Sequence, residues 1–383
     1  MSTEAIDYAA LRSYSFPTRI RYGRGCVGEL GKHLQDQGLH RPLLVTDCNC
    51  QKLPFFEAIV QRLGDQQLEV AVYTGVSANP VQGDVDGGVR AFAGNNCDCV
   101  IGLGGGASLD VARVIALMAN HGEYDLFHFE DGTGNERDVT HAIPYFVTIP
   151  TTSGTGSEVG RSGVIIHPDT LEKKIIFAPQ LMARQVFVDP VLSLHLPAAI
   201  TAATGMDALT HCIEAYLAPT FHPLSQGIAL EGIRLIDEAL VGACLSPTIE
   251  NRGKMAMAAL MGAVAFQKGL GVVHALAHPL SSLCGLHHGL ANAIMLPVGV
   301  AVNQSGVADK TEQLQRMLGT EDLVVYLRTL NERVGLPADL AGQGVIESQI
   351  DAMARMAKND ISLETNPREA SVEQLRELYL QAL

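Results

Sequence analysis

Four of the thirteen histidines fall between Val272 and Gly289: His274, His278, His287 and His288. An earlier stretch reads Gly205-Met-Asp-Ala-Leu-Thr-His211. On a helix, Asp207 and His211 stand at i and i+4 and share one face, and His274 and His278 have the same spacing. A carboxylate and imidazoles on neighbouring helices make a divalent transition-metal site with nitrogen and oxygen ligands. A single histidine in apolar surroundings is ordinarily a hydrogen-bonded core residue. Four of them among Ala275, Leu276, Ala277, Leu280, Leu283 and Leu286, with an Asp-x-x-x-His pair in reserve, are harder to explain that way. Spacing alone does not select which of the four would bind.

A second kind of chemistry is written in glycine. Ile101-Gly-Leu-Gly-Gly-Gly-Ala-Ser-Leu-Asp110 follows a strand pattern and opens a helical one. Glycines let a backbone approach a pyrophosphate, and the helix start supplies free N–H donors at the positive dipole end. A plain strand-to-helix turn does not need three successive glycines, which are entropically costly. The usual dinucleotide fingerprint wants Gly-x-Gly-x-x-Gly with an acid about 20 residues later, and this loop meets neither condition. The best ribose-binding acid is Asp47, upstream at the end of a strand, where it would favour NAD over NADP. Taken alone, Asp47 also reads as an ordinary loop acid. A further loop, Pro150-Thr-Thr-Ser-Gly-Thr-Gly-Ser-Glu158, carries more hydroxyls than a surface turn needs and suits a cofactor's phosphates and carboxamide. A dinucleotide loop and a metal site in one chain point to metal-assisted hydride transfer, with a Lewis-acid cation stabilising an alkoxide and the cofactor taking the hydride.

The elements that must position these residues differ between the two halves. Before about residue 190, strand patterns at Pro42–Thr46, Leu68–Tyr73, Cys99–Leu103 and Tyr145–Ile149 alternate with helical ones at Phe55–Leu63, Val85–Gly94 and Ser108–Ala119. This alternation predicts an α/β domain with a parallel, doubly wound, Rossmann-like sheet over residues 1–190. Ile175–Phe177 and Val186–Val188 read as further strands. After Pro190 only helical spacing remains, so residues 191–383 should form an all-α domain carrying the metal site. Pro279 lies inside a helical stretch and should kink or end it. The cleft between the two and the carboxyl ends of the strands are the places for ligands.

The chain has 383 residues and a formal charge of −14, which suits neither a nucleic acid nor an anionic membrane as partner. No apolar run reaches the roughly 18–20 residues needed to span a bilayer. The opening MSTEAIDYAA has neither the basic flank nor the apolar core of a signal peptide, and eight cysteines in so long a chain read as reduced thiols, so a cytoplasmic enzyme is expected. Cys48-x-Cys50 and Cys97-x-Cys99 are spaced too tightly for a zinc clip. With no tryptophan and 5% aromatic residues, any substrate pocket must be mainly aliphatic, which suits a short alcohol.

Taken together, the motifs resemble those of the iron-containing (group III) alcohol dehydrogenases, over nearly the whole chain and in the family's order. They are Val45-Thr46-Asp47, Asn79-Pro80, Gly104 to Asp110, Pro150 to Glu158, Gly205 to His211, Gly271 to Pro279, His288-Gly289, Leu296-Pro297 and Thr365-Asn-Pro-Arg368. The resemblance implies a dehydroquinate synthase-like architecture with Asp207, His211, His274 and His288 as metal ligands. It leaves His278 off the metal as a proton-relay residue and gives His287 no role. It puts Asp47 at the adenine ribose and Asn79 near the cofactor. Gly105, Gly106 and Asp110 fall at the pyrophosphate, and Thr151, Thr152 and Thr155 beside the phosphates and nicotinamide. Val164 and Lys173 complete the cofactor site, with Lys174 an adjacent rival. The implied activity is NAD(H)-linked interconversion of a small primary alcohol and its aldehyde by hydride transfer at a metal-bound alkoxide. The implied metal is Fe2+, with Zn2+ also chemically suitable, and the implied assembly is a dimer or larger. Ala107 stands where many members have Ser or Pro.

Two other readings carry different chemistry. Glycerol dehydrogenases and dehydroquinate synthases share the architecture, but the latter need a basic pocket for a sugar-acid phosphate, for which the second half offers few lysines or arginines. A non-catalytic metal-binding or assembly protein on this scaffold would not need the glycine loop, the hydroxyl loop and the ligand set together. Fold alone does not decide among them.

Overall fold

In the computed structural model, residues 16, 18–134, 136–170 and 172–383 are described. The first half contains β1 (Arg19–Tyr22), α1 (Leu30–Asp36), β2 (Pro42–Val45), α2 (Pro54–Asp65), β3 (Ala71–Tyr73) and α3 (Gln82–Gly94). It continues with β4 (Cys99–Gly104), α4 (Gly106–Met118), β5 (Tyr145–Pro150), β6 (Ser162–Ile166), β7 (Lys173–Phe177) and β8 (Gln185–Val188). Six strands form one parallel sheet in the order β1-β8-β5-β4-β2-β3. The four inner strands are almost wholly buried, as parallel strands covered on both faces must be, which is why they read as continuous apolar runs. Strand order reverses beside β2, so Asp47 after β2 and Gly104 at the end of β4 meet at the switch point where such sheets bind ligands.

Three features depart from the sequence expectation. β1 is an exposed, charged edge strand, Arg-Ile-Arg-Tyr, whose polarity hides it from a hydrophobic reading. The expected strand Leu68–Tyr73 shortens to Ala71–Tyr73 at the opposite edge. The Ile175–Phe177 strand does not join the parallel sheet but pairs antiparallel with β6 in a separate hairpin.

From Ala198 onward the regular elements are helices: α5 (Ala198–Leu217), α6 (Pro223–Leu245), α7 (Ile249–Ala265), α8 (Val272–Cys284) and α9 (His288–Asn303). They are followed by α10 (Ala308–Leu318), α11 (Leu323–Arg333), α12 (Glu347–Lys358) and α13 (Val372–Ala382). The helical core centres on α5, α8 and α9, whose Met206, Leu209, Leu276, Leu280 and Met295 are buried. α8 runs through Pro279 instead of ending there. Pro279 removes the N–H that would bond the Ala275 carbonyl, yet the helix continues, with Ala275, Leu276, Ala277 and Leu280 buried around it. α9 likewise continues through Pro297. Among the described residues no single helix is long and apolar enough to cross a membrane.

The two halves are joined where the hydroxyl loop meets α5 and α7. A Cβ on Gly154 would lie 2.8 Å from Thr204, and one on Gly156 would lie 2.7 Å from the Ala259 carbonyl oxygen. Leu260, Ala263 and Val264 of α7 belong to the core of the sheet domain.

Candidate active site

The glycine loop is built for close approach, part of it by the protein itself. Gly104 has φ of 146°, a conformation that side chains rarely adopt, and a Cβ there would also strike the Ser108 hydroxyl at 2.7 Å. A Cβ on Gly106 would lie 2.7 Å from Thr155, so the glycine and hydroxyl loops are pressed together. The Thr151 N–H bonds the Gly104 carbonyl at 2.9 Å and ties their bases. Gly105 and Gly106 then present the first free N–H groups of α4, which is 13 residues long. Asp47 faces this loop. Its Oδ1 accepts from the Asn49 and Cys50 N–H groups at 2.8 and 3.0 Å, and its Oδ2 accepts from Ser108 Oγ at 3.3 Å. Asn79 sits half-buried in the loop between β3 and α3. That loop is shaped by Asp84, which accepts from Ser77 and from the Val81 N–H.

Asp110 is engaged inside the protein. It accepts from Ser157 Oγ at 2.5 Å, Arg113 Nη1 at 3.1 Å and the Val164 N–H at 3.1 Å. Arg113 is fully buried and also donates to the Ser162 and Ser157 carbonyls. Asp110 and Arg113 thus lock the first turns of α4 to the hydroxyl loop and the β6–β7 hairpin, a network the sequence reading missed. The hairpin also separates the two lysines. Successive strand residues point to opposite faces, so Lys173 shares a face with Val164 while Lys174 joins Ile165. Lys174 pairs with Glu130 at 3.1 Å and Glu172 at 2.9 Å. Burial pushes Lys173 down, and the charges of Asp110 and Asp207 work against that.

In the helical half, Asp207 of α5, His274 of α8 and His288 at the start of α9 converge. One ligand atom from each lies within 4.8 Å of the others. His274 Nε2 is 3.8 Å and His288 Nε2 3.6 Å from Asp207 Oδ1, too far for hydrogen bonds. Gly289 allows this, because α9 starts against the α5 backbone at Ala203. Asn292 Nδ2 caps one side of the trio, donating to Asp207 Oδ1 at 2.7 Å and lying 3.3 and 3.2 Å from the two Nε2 atoms. His211 stands next to this trio but outside it. Its ring stacks on His274 with centroids 4.6 Å apart and packs on Phe266. Burial pushes His211 down to about 4, and burial also holds His288 well below its usual range, so both are neutral imidazoles at neutral pH. His274 is depressed by burial but raised overall by its hydrogen bond to Glu214.

These residues fit a divalent cation. A carboxylate only 2% exposed faces two imidazole nitrogens, and the buried Nδ1 atoms of His211 and His288 have no hydrogen-bond partner. One oxygen and several neutral nitrogens suit Fe2+ or Zn2+.

His278 lies off the trio, its ring stacked on His288 at 5.3 Å. Its Nδ1 meets Asp360 Oδ2 at 2.6 Å. Burial works against the charge of Asp360, yet His278 and bonds from Ser362 hold it at about 2. His287 is exposed at the helix start. Glu214, Asn292 and Asp360 were missed in the sequence reading. Glu214 meets His274 60 residues away, Asp360 meets His278 82 away and Asn292 meets Asp207 85 away; the local hints were the acid three residues after His211 and the amide four residues after His288.

A parallel switch-point sheet with a glycine loop, set against a helical half with a buried Asp-His-His cluster, defines a dinucleotide- and metal-dependent oxidoreductase. The chain belongs to the iron-containing alcohol dehydrogenase family: residues 17–190 match the iron-containing alcohol dehydrogenase model and 201–383 its C-terminal counterpart. The family's class of activity, oxidoreductase, and its cofactors, a nicotinamide dinucleotide and iron, come with that membership. The chain is 37% identical to 4-hydroxybutyrate dehydrogenase of Cupriavidus necator, covering 96% of this chain and 98% of that protein. It is 32% identical to NAD-dependent methanol dehydrogenase of Bacillus methanolicus, over 97% of this chain and 100% of the other. The crystal structure of a 1,3-propanediol oxidoreductase superposes with a TM-score of 0.92 at 31% identity, covering 98% of this chain and 100% of that one.

Proposed function

We propose that this chain is an NAD(H)-linked, iron-dependent alcohol dehydrogenase interconverting a small primary alcohol and its aldehyde. The observation that carries the reading is the convergence of Asp207, His274 and His288 in a chain whose sheet half presents the glycine loop at its switch point. Asp207, His274 and His288 would hold the metal, with His211 as the fourth ligand. Bound there, iron supplies Lewis acidity and the nicotinamide supplies hydride exchange. The free N–H groups at Gly105 and Gly106 hold the pyrophosphate, and Asp47 accepts from the ribose hydroxyls. Asp110 acts by fixing the loop through Arg113 and Ser157. Asn79, Thr151, Thr152, Thr155, Val164 and Lys173 line the remaining cofactor path. His278, held through Nδ1 by Asp360, keeps Nε2 available to exchange a proton with solvent.

On this reading residues 1–190 serve the dinucleotide and 191–383 the metal, in a cytoplasmic dimer or larger assembly. The similarity to dehydrogenases of 4-hydroxybutyrate and methanol supports a short primary alcohol as substrate. The test is anaerobic reconstitution with Fe2+ or Zn2+, followed by NADH formation from NAD+ and a panel of short alcohols. Wild type should turn over, and Asp207→Ala and His274→Ala should lose both metal and turnover. Retention of both in either variant would overturn the assignment.

A further inference from the structure

We propose that Glu214 is a positioning residue that sets the tautomer of His274, presenting its Nε2 lone pair to the metal; this rests on the metal-site reading above. Glu214 lies on α5 two turns beyond Asp207 and is 5% exposed. Its Oε2 is 2.6 Å from His274 Nδ1, and its Oε1 accepts the Val273 N–H at 2.7 Å. A carboxylate only accepts, so Nδ1 carries a proton, and in the neutral ring that a metal binds Nε2 is the bare nitrogen. Nε2 is the atom 3.8 Å from Asp207 Oδ1, and it shares Asn292 Nδ2 with His288 Nε2. Carboxylate–imidazole–metal chains of this kind fix ring orientation and raise ligand basicity.

Glu214 also serves α8. Gly271 at the start of α8 offers no side-chain cap, and the first N–H groups are met from elsewhere, Val272 by Asn366 Oδ1 at 3.0 Å and Val273 by Glu214. A Cβ on Gly271 would lie 2.9 Å from Glu214 Oε1 and 2.8 Å from Asn366 Oδ1, so the bare position admits both acceptors. A role in capping alone would need only one acceptor oxygen at Val273. Glu214→Gln separates the two roles. The amide keeps one acceptor oxygen for Val273 and turns its N–H toward His274 Nδ1, which moves the ring proton to Nε2 and blocks the lone pair.

The experiment measures Zn2+ and Co2+ affinity by chelator competition in wild type, Glu214→Gln, Asn366→Ala and His274→Ala. Thermal melting and NAD+ binding are followed in parallel. Glu214→Gln should bind metal about 10- to 100-fold more weakly with melting and NAD+ binding near wild type. Its Co2+ absorption bands should also change. Asn366→Ala, which removes the cap on the Val272 N–H and the bonds to Asn303 and Arg368, should melt earlier with unchanged metal affinity. Wild-type metal affinity in Glu214→Gln, with loss in His274→Ala, would overturn the positioning role alone. Unchanged affinity in His274→Ala would overturn the metal-site reading itself. If Glu214→Gln does not fold, imidazole-nitrogen NMR of the Zn2+-loaded wild type decides. A proton on His274 Nδ1 supports the proposal, and a proton on Nε2 refutes it.

Discussion

Gly289→Ala offers a test of how the metal ligands are brought together. Gly289 is the second residue of α9 and follows His288. A Cβ there would lie 2.8 Å from the Ala203 carbonyl carbon of α5, and nearer still to its oxygen, whereas ordinary contact starts at 3.4 Å. The obstacle is backbone inside a helix and cannot rotate away. The start of α9 must therefore retreat by more than about half an ångström, beyond the ~0.5 Å tolerance of a catalytic constellation. His288 moves with it, widening its 3.6 Å approach to Asp207. The overpacking should cost about 1–3 kcal/mol of stability. A ligand displacement of this size should weaken metal binding by more than tenfold and lower turnover by about a hundredfold. Metal content after graded chelation, thermal melting and initial rates with saturating metal would be compared with wild type. A variant that keeps wild-type metal affinity and rate would refute the argument that helix proximity at Gly289 sets the site.

Asp47→Gly should raise the rate with NADP+ relative to NAD+ and, by releasing the Asn49 and Cys50 N–H groups, cost about 1 kcal/mol in a melting experiment; an unchanged cofactor preference would refute the ribose role. Arg113→Met removes the link between α4, the hydroxyl loop and the hairpin and strips the buried Asp110 of its cationic partner, so stability should fall by about 3–5 kcal/mol and NAD+ affinity with it. Asp360 is held at about 2 from an ordinary 3.8, so its contribution is fully present above pH 4 and is lost as pH falls toward 2. The difference in unfolding free energy between wild type and Asp360→Asn, about 2 kcal/mol near neutral pH, should shrink across that window; a difference that stays flat to pH 2 would contradict the pairing with His278.

Local pattern made much of this protein legible. Buried parallel strands read as apolar runs, and Gly104 to Asp110 announced a strand-to-helix turn with a ligand. Asp207, His211, His274 and His278 declared themselves by spacing on a helix. These are signals of one element at a time. β1 escaped because an edge strand tolerates charge, and the helix does not end at Pro279, where a kink or an end is expected.

Pairing across elements was decided only by the fold. The i, i+4 rule put Asp207 and His211 on one face, but packing brought Asp207 to His274 and His288 and left His211 stacked alongside. Lys173 and Lys174 were indistinguishable in sequence until the hairpin register turned one toward Val164 and the other toward Glu130 and Glu172. Glu214 and Asp360 became partners of His274 and His278 only through contacts 60 and 82 residues apart along the chain, and Asn292 reaches Asp207 across 85 residues. Residue type and short-range period are properties of the chain itself, so they determined the class of chemistry and the two halves that carry it. Which donor atom meets which depends on helix–helix approach and strand register. Those are set by backbone contacts such as Gly289 on Ala203, which no local pattern contains.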